Sequence, residues 1–137
     1  MSVLSRFRAE SNVDFIYTAR KLAVSVIKSC VDSKKGRYVA TVSEPAAQSG
    51  WKVYECVKRA NSIYPTNRHE AQLRRDQFLL AKAELYVLDS KIGVAHEFYH
   101  FSDHDLDEMG EFIDTELKLI DKMLESDRKR YKNLPQG

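Results

Sequence analysis

The sequence lacks the features that mark membrane, secreted and fibrous proteins. It has no apolar run of about 18 residues, as a membrane-spanning helix needs, and no apolar signal-peptide segment of about 7 to 15 residues behind its first positive charges. With two Cys, three Pro and five Gly, it is neither a disulfide scaffold nor a collagen-like or disordered chain. We therefore expect one globular domain over residues 1–137, with no membrane partner and a cytoplasmic location.

Catalytic signatures are equally scarce. The sequence has no glycine-rich phosphate loop and no Ser in a nucleophile-elbow context. One motif stands out, because His96-Glu97-Phe98-Tyr99-His100 matches H-E-x-x-H, in which two His residues hold zinc and Glu acts as general base. A catalytic zinc needs a third protein ligand, and no metzincin extension follows on the same helix. We interpret the motif as coincidental and predict no enzymatic activity, no metal and no cofactor.

Apolar residues recur at alternating three- and four-residue steps in four segments, and no segment alternates with period two. This spacing predicts four helices, and the short connections at 32–36, 61–66 and 102–103 favour antiparallel neighbours. The sequence therefore predicts an all-α protein, an antiparallel up-down-up-down four-helix bundle. Pro45 either kinks the second helix or marks its start with Ser43 as the N-cap. The four stripes are Phe15, Ala19, Leu22, Val26 and Cys30; Val39, Val42, Ala46, Ser49, Val53, Cys56 and Ala60; Phe78, Ala81, Leu85, Leu88, Ile92, Ala95 and Tyr99; and Leu106, Met109, Ile113, Leu117, Ile120 and Leu124.

The starts of the third and fourth helices carry recognisable capping residues. Asn67 is followed three residues later by Glu70, which is a capping-box arrangement, and Ser102 is followed three residues later by Asp105. We expect Asn67 and Ser102 to be the N-caps of these helices.

Charge is distributed unevenly along the chain. Residues 1–75 carry 14 Lys and Arg against 6 Asp and Glu, whereas residues 76–127 carry 4 against 14. The basic C-terminal tail, 128–137, adds four more cations, and we expect it to be mobile. Such asymmetry indicates either a polyanionic partner for the basic surface or charge complementarity between copies of the protein.

The basic residues form two groups in an antiparallel bundle. One group lies in the first loop, and the other lies where the second helix ends and the third begins, at the opposite pole. Arg and Lys held on rigid helices contact phosphates without reading sequence, so we predict a nucleic-acid-binding role for them. The predicted residues are Lys34, Lys35, Arg37, Lys58, Arg59, Arg68, Arg74 and Arg75.

Several short stretches resemble the Avd-like family of small four-helix-bundle proteins. This family includes the accessory variability protein of diversity-generating retroelements and is related to proteins encoded by ribosomal RNA intervening sequences. The stretches are Ala60-Asn61-Ser62-Ile63-Tyr64-Pro65, Arg74-Arg75-Asp76, the positions Ala81, Ala83 and Leu88, the opening Met1-Ser2-Val3-Leu4 and the closing Ser126-Asp127-Arg128-Lys129-Arg130-Tyr131.

The resemblance implies a non-catalytic accessory subunit of a reverse transcriptase. Such a subunit forms a homo-oligomer, a pentamer in this family, and binds the polymerase and structured template RNA, with the DNA product as a further partner, to support complementary-DNA synthesis. Two alternatives stay open. One is a structural or protein-interaction bundle that binds no nucleic acid, and the other is a zinc hydrolase that uses His96, Glu97 and His100.

Overall fold

The protein is all-helical throughout the part of the chain that the structure describes. The computed structural model describes residues 2–10, 12–30 and 37–137, and these ranges contain no β-strand. A π-helical turn, Val39–Ser43, precedes the third helix. No helix within these ranges has the length and apolar character needed to cross a membrane. The helices are α1 (Val3–Glu10), α2 (Asp14–Cys30), α3 (Glu44–Ser62), α4 (Arg68–Tyr99) and α5 (Asp103–Arg130).

Most positions of the four predicted stripes form the core, whereas Val39, in the π-helical turn, is only partly buried and does not belong to it. Every predicted position of α2 is buried, as are those of α4 except Tyr99, which is partly buried against the core. In α5 the stripe is buried at most positions, with Leu106 and Leu117 partly buried. Each fully buried Leu or Phe side chain stabilises the fold by roughly 1.5–3 kcal/mol relative to exposure. The all-helical prediction is therefore confirmed, and the short helix α1 is an element that the apolar spacing did not predict.

Helix starts follow the predicted caps in two cases and differ in one. Asn67 accepts a hydrogen bond from the amide of Glu70 at 2.9 Å, and Ser102 accepts one from the amide of Asp105 at 3.1 Å. Ser43 precedes α3, but it has helical backbone angles and its side chain does not cap. Its hydroxyl instead forms a 2.6 Å hydrogen bond with the hydroxyl of Tyr99, so Ser43 occupies the N-cap position without a capping hydrogen bond. Pro45 lies in the first turn of α3 and marks the helix start rather than a kink.

Each of the four longer helices packs against two others: α2 contacts α3 and α5, and α4 contacts the same two. α2 and α3 approach closely at Gly50, where a Cβ atom would lie 3.4 Å from the Cα of Ala23. Near the other side of the core, Lys82 of α4 donates a 2.7 Å hydrogen bond to Asp121 of α5. These contacts join α2, α3, α4 and α5 around one core.

The C-terminal segment contacts the start of α4. Residues 128–130 belong to α5, and residues 131–137 follow it. The amide of Arg68 donates to the carbonyl of Pro135 at 2.9 Å, and its Nε donates to the carbonyl of Leu134 at 3.2 Å. The tail that we expected to be mobile therefore packs beside the first turn of α4.

Candidate nucleic-acid interface

A shallow groove runs between the first turns of α4 and the last turns of α5. It has a volume of about 440 Å³, and cations from both helices line it. Ala71, on the α4 side, has a small side chain, whereas the other α4 residues that line the groove are long and polar. We call it the basic groove, and its lining residues are Arg68, Ala71, Gln72, Arg75, Asp127, Arg128, Tyr131 and Lys132.

A buried ion pair lies at the floor of the basic groove. The Nε of Arg74 donates to Asp127 at 2.6 Å, and both side chains are almost wholly buried. The Nη1 of Arg74 also donates to the carbonyls of Ala60 at 3.0 Å and Ile63 at 3.1 Å. One guanidinium thus joins the end of α3, the start of α4 and the end of α5.

This geometry changes the role assigned to Arg74. We predicted a phosphate contact, but Arg74 is only 4% exposed and its donors are engaged within the fold. Arg74 is therefore a structural residue, and its guanidinium is not available to a phosphate group. A guanidinium and a carboxylate buried together are costly to separate, because loss of one partner leaves the other charge uncompensated.

Four cations line the groove around the buried ion pair of Arg74 and Asp127: Arg68, Arg75, Arg128 and Lys132. Arg128 is well exposed and pairs with Glu125 at 2.8 Å, and hydrogen bonds from Arg128 lower the pKa of the Glu125 carboxyl. Water screens an exposed pair of this kind, so it contributes little to stability and a phosphate group can compete for the guanidinium. The basic groove therefore presents three cations on α4 and α5, namely Arg68, Arg75 and Arg128, and a fourth, Lys132, on the segment that follows α5.

Tyr131 gives the basic groove an aromatic wall. The guanidinium carbon of Arg74 lies 5.9 Å from the centre of its ring, and that of Arg130 lies 5.6 Å from it. Two cations near one ring favour a fixed ring position through cation–π attraction. We therefore assign Tyr131 to the wall of the groove and not to a mobile tail.

The two predicted residues at the end of α3 differ in their surroundings. Arg59 is exposed, and its contact with Glu55 is distant, at 4.0 Å. Lys58 is paired with Glu10, the last residue of α1. Partial burial opposes ionisation of Glu10, but hydrogen bonds from Lys58, Tyr54 and Arg20 outweigh it and lower the pKa of the carboxyl. Lys58 thus serves mainly to attach α1 to α3, whereas Arg59 remains available to a ligand.

Arg37, the described member of the first-loop group, lies far from the basic groove. Lys34 and Lys35 lie outside the described residues. Arg37 is exposed, and the neighbouring Tyr38 ring lies 5.0 Å from that of Phe98, near the end of α4. The span from Arg68 to Phe98 along α4 is about 45 Å at 1.5 Å per residue. The structure therefore does not join Arg37 to the other predicted cations in a single site.

The H-E-x-x-H motif occupies the C-terminal end of α4. The ring of His96 stacks on that of Phe101 with centroids 6.0 Å apart, and its Nδ1 is buried without a hydrogen-bond partner among the described residues. His100 has a left-handed backbone, φ 50°, and terminates the helix. Within the described ranges, no group of three or more His, Cys, Asp or Glu side chains could hold a metal ion. The structure thus gives these His residues local roles in ending α4 and packing on Phe101.

Sequence reasoning missed Arg128 and Lys132 as members of the site because it assigned them to a mobile tail. A signal was present. Leu124, Asp127 and Tyr131 continue the three- and four-residue spacing of the α5 stripe, which extends the helix toward the end of the chain. Asp127 is charged, which is unusual for a core position, but its buried partner Arg74 makes it part of the interior.

Comparison of the chain with protein-family models, with curated proteins and with solved structures gives no match. The resemblance to the Avd-like family therefore stays an expectation from the residues that carry it.

Proposed function

We propose that this protein is a non-catalytic accessory subunit of a reverse transcriptase, and that it binds structured RNA through the basic groove. The observation that carries the proposal is the convergence of Arg68, Arg75, Arg128 and Lys132 around one groove. Arg and Lys side chains bind phosphates, and such contacts fix orientation without reading base sequence. Recognition would then depend on the shape of the RNA backbone, which suits a folded template.

The helix contacts support an antiparallel up-down-up-down bundle as the scaffold for this site. Arg74, near the start of α4, contacts Asp127, near the end of α5, and the carbonyl of Ala60, near the end of α3. Farther along α4, Lys91 donates to Ser49, near the start of α3. Both sets of pairs fit neighbouring helices that run in opposite directions.

The acidic surface suggests where the polymerase would bind. Five acidic residues lie within the first three turns of α5, whereas the basic groove lies at the other end of that helix. A basic surface on the enzyme would complement the acidic residues and leave the groove open to template RNA or its DNA product. The acidic residues are Asp103, Asp105, Asp107, Glu108 and Glu111.

We also propose a cytoplasmic location. The homopentamer stays a prediction from the family resemblance alone.

The test is binding of a structured RNA across a salt series, with two matched double variants. Arg75→Ala/Lys132→Ala removes two cations from the basic groove, and Lys21→Ala/Lys28→Ala removes two exposed cations from α2. Each lost phosphate contact lowers the slope of log affinity against log salt by about 1, so the groove variant should lose about 2 in slope.

The α2 variant is the control and should retain nearly all of the affinity and slope. Equal losses in the two variants would mean that net charge, not the groove, determines binding. Unchanged binding by the groove variant would refute the assigned surface. No binding by the wild-type protein at low salt would favour a protein-interaction bundle instead, a function that the exposed apolar face of α4 also supports.

A further inference from the structure

The segment that follows α5 folds back over the first turn of α4. The turn after the helix ends at residue 133, and Leu134 is partly buried between exposed neighbours. Gly137 has a positive φ of 52°, and a Cβ atom there would collide with the side chain of Asn67, the N-cap of α4. Glycine therefore lets the segment pack directly against the start of α4. We call residues 133–137 the C-terminal strap.

The C-terminal strap holds one residue of the basic groove at two points. The carbonyl of Pro135 accepts a hydrogen bond from the amide of Arg68 at 2.9 Å, and the carbonyl of Leu134 accepts one from its Nε at 3.2 Å. The first bond satisfies one of the amides that the start of a helix leaves without a partner in the helix. The second bond fixes the direction of the side chain. Two consecutive carbonyls thus hold both the backbone and the guanidinium of Arg68.

These two bonds leave the positive charge of Arg68 in place. Both acceptors are neutral carbonyls, whereas Arg128, on the other side of the basic groove, pairs with the carboxylate of Glu125. The bond to Leu134 uses only the Nε donor of the guanidinium, and the two terminal nitrogens carry the other donors. Those donors can bind phosphate oxygens, as guanidinium groups commonly do.

The C-terminal strap lies beside the basic groove and does not cover it. Arg68, Tyr131 and Lys132 line the groove, whereas Leu134 and Pro135, whose carbonyls contact Arg68, do not. The strap therefore supports Arg68 from outside the groove. This position favours a strap that orients the guanidinium over one that competes with a ligand for it.

We propose that the C-terminal strap is a positioning element, which holds Arg68 at the edge of the basic groove for contact with an RNA phosphate. The inference rests on the proposed function, RNA binding by the groove. A free Arg side chain loses rotamer freedom when it binds a ligand, and that loss lowers affinity. A side chain that is already ordered avoids part of the loss, so the strap should raise affinity by about two- to tenfold.

Binding of a structured RNA by two strap variants tests the positioning role. Asn133→Ser/Leu134→Gly/Pro135→Gly/Gln136→Ser makes the strap flexible without changing its charge. The control, Asn133→Ser/Gln136→Ser, keeps the two residues whose carbonyls contact Arg68 and should bind as the wild type does. The flexible variant should bind about two- to tenfold more weakly than the control, with unchanged helical circular dichroism. Equal binding by the two variants would overturn the proposal.

Substitution of Arg68 shows whether the strap acts through that residue. If it does, Arg68→Ala should cost the flexible variant a smaller fold-change in affinity than it costs the control. Arg75→Ala removes a different cation of the basic groove and should cost both proteins the same. An equal cost of Arg68→Ala in the two proteins would mean that the strap does not position Arg68.

The same assay separates failure of this inference from failure of the proposed function. If Arg75→Ala/Lys132→Ala leaves RNA binding unchanged, the basic groove is refuted as the binding surface, and the role of the strap with it. If that variant weakens binding and the flexible strap does not, the positioning role alone is refuted.

Discussion

Glu116 makes the stability of this protein depend on pH in an unusual direction. The side chain is fully buried on α5, and neither carboxylate oxygen has a hydrogen-bond partner among the described residues. Burial disfavours the charged form and raises the pKa of Glu116 from 4.5 to about 9. At neutral pH the folded protein therefore holds a proton on Glu116, while the unfolded chain has released it.

The sign and size of the effect follow from this difference. Between the unfolded and folded pKa values the folded state binds one more proton, so the free energy of unfolding falls as pH rises. The slope from this one group is about 1.4 kcal/mol per pH unit. Raising the pH from about 5.5 to about 7.5 should thus remove about 3 kcal/mol of stability through Glu116 alone.

Urea denaturation of the wild type and Glu116→Gln at those two pH values measures the contribution. Because Gln cannot titrate, the variant should lose about 3 kcal/mol less than the wild type between them. Glu111→Gln makes the same chemical change at an exposed position of α5 and should follow the wild type. If wild type and Glu116→Gln have the same pH dependence, Glu116 is not held neutral by the fold.

Two further predictions concern packing. Arg74→Ala should destabilise the protein by about 3–5 kcal/mol in urea denaturation, because Asp127 would remain buried without its partner. The double variant with Asp127→Ala should cost less than the sum of the two single changes, and strict additivity would mean that the two side chains are not coupled. At Gly50, Ala should be tolerated because its Cβ would make ordinary contact with Ala23, whereas Leu should cost about 1–3 kcal/mol by overpacking. Equal melting temperatures for Gly50→Ala and Gly50→Leu would show that α2 and α3 are not closely packed there.

The sequence is most informative where structure depends on near neighbours. The apolar spacing of α2, α4 and α5 and the caps at Asn67 and Ser102 involve residues three or four positions apart. Such patterns can be identified without knowing the fold. Helix α1 has no comparable stripe. Its last residue, Glu10, contacts Lys58 of α3, and the sequence does not indicate a contact between positions so distant in the chain.

The candidate site was only partly predictable for the same reason. Arg74 and Arg75 are adjacent and chemically alike, but one is buried against Asp127 and the other lines the basic groove. What separates them is the position of α5, whose Asp127 is 53 residues away from Arg74. Composition can predict that basic residues cluster, but it cannot identify which guanidinium is engaged inside the fold.

We propose that this chain brings structured RNA to a reverse transcriptase. The most direct test is complementary-DNA synthesis by a candidate partner polymerase on a structured template RNA, with and without the purified protein. We predict no synthesis by this chain alone, stimulation when it joins the polymerase, and loss of most of that stimulation in Arg75→Ala/Lys132→Ala. Equal synthesis with and without the chain, under salt conditions in which it binds the RNA, would contradict the accessory role.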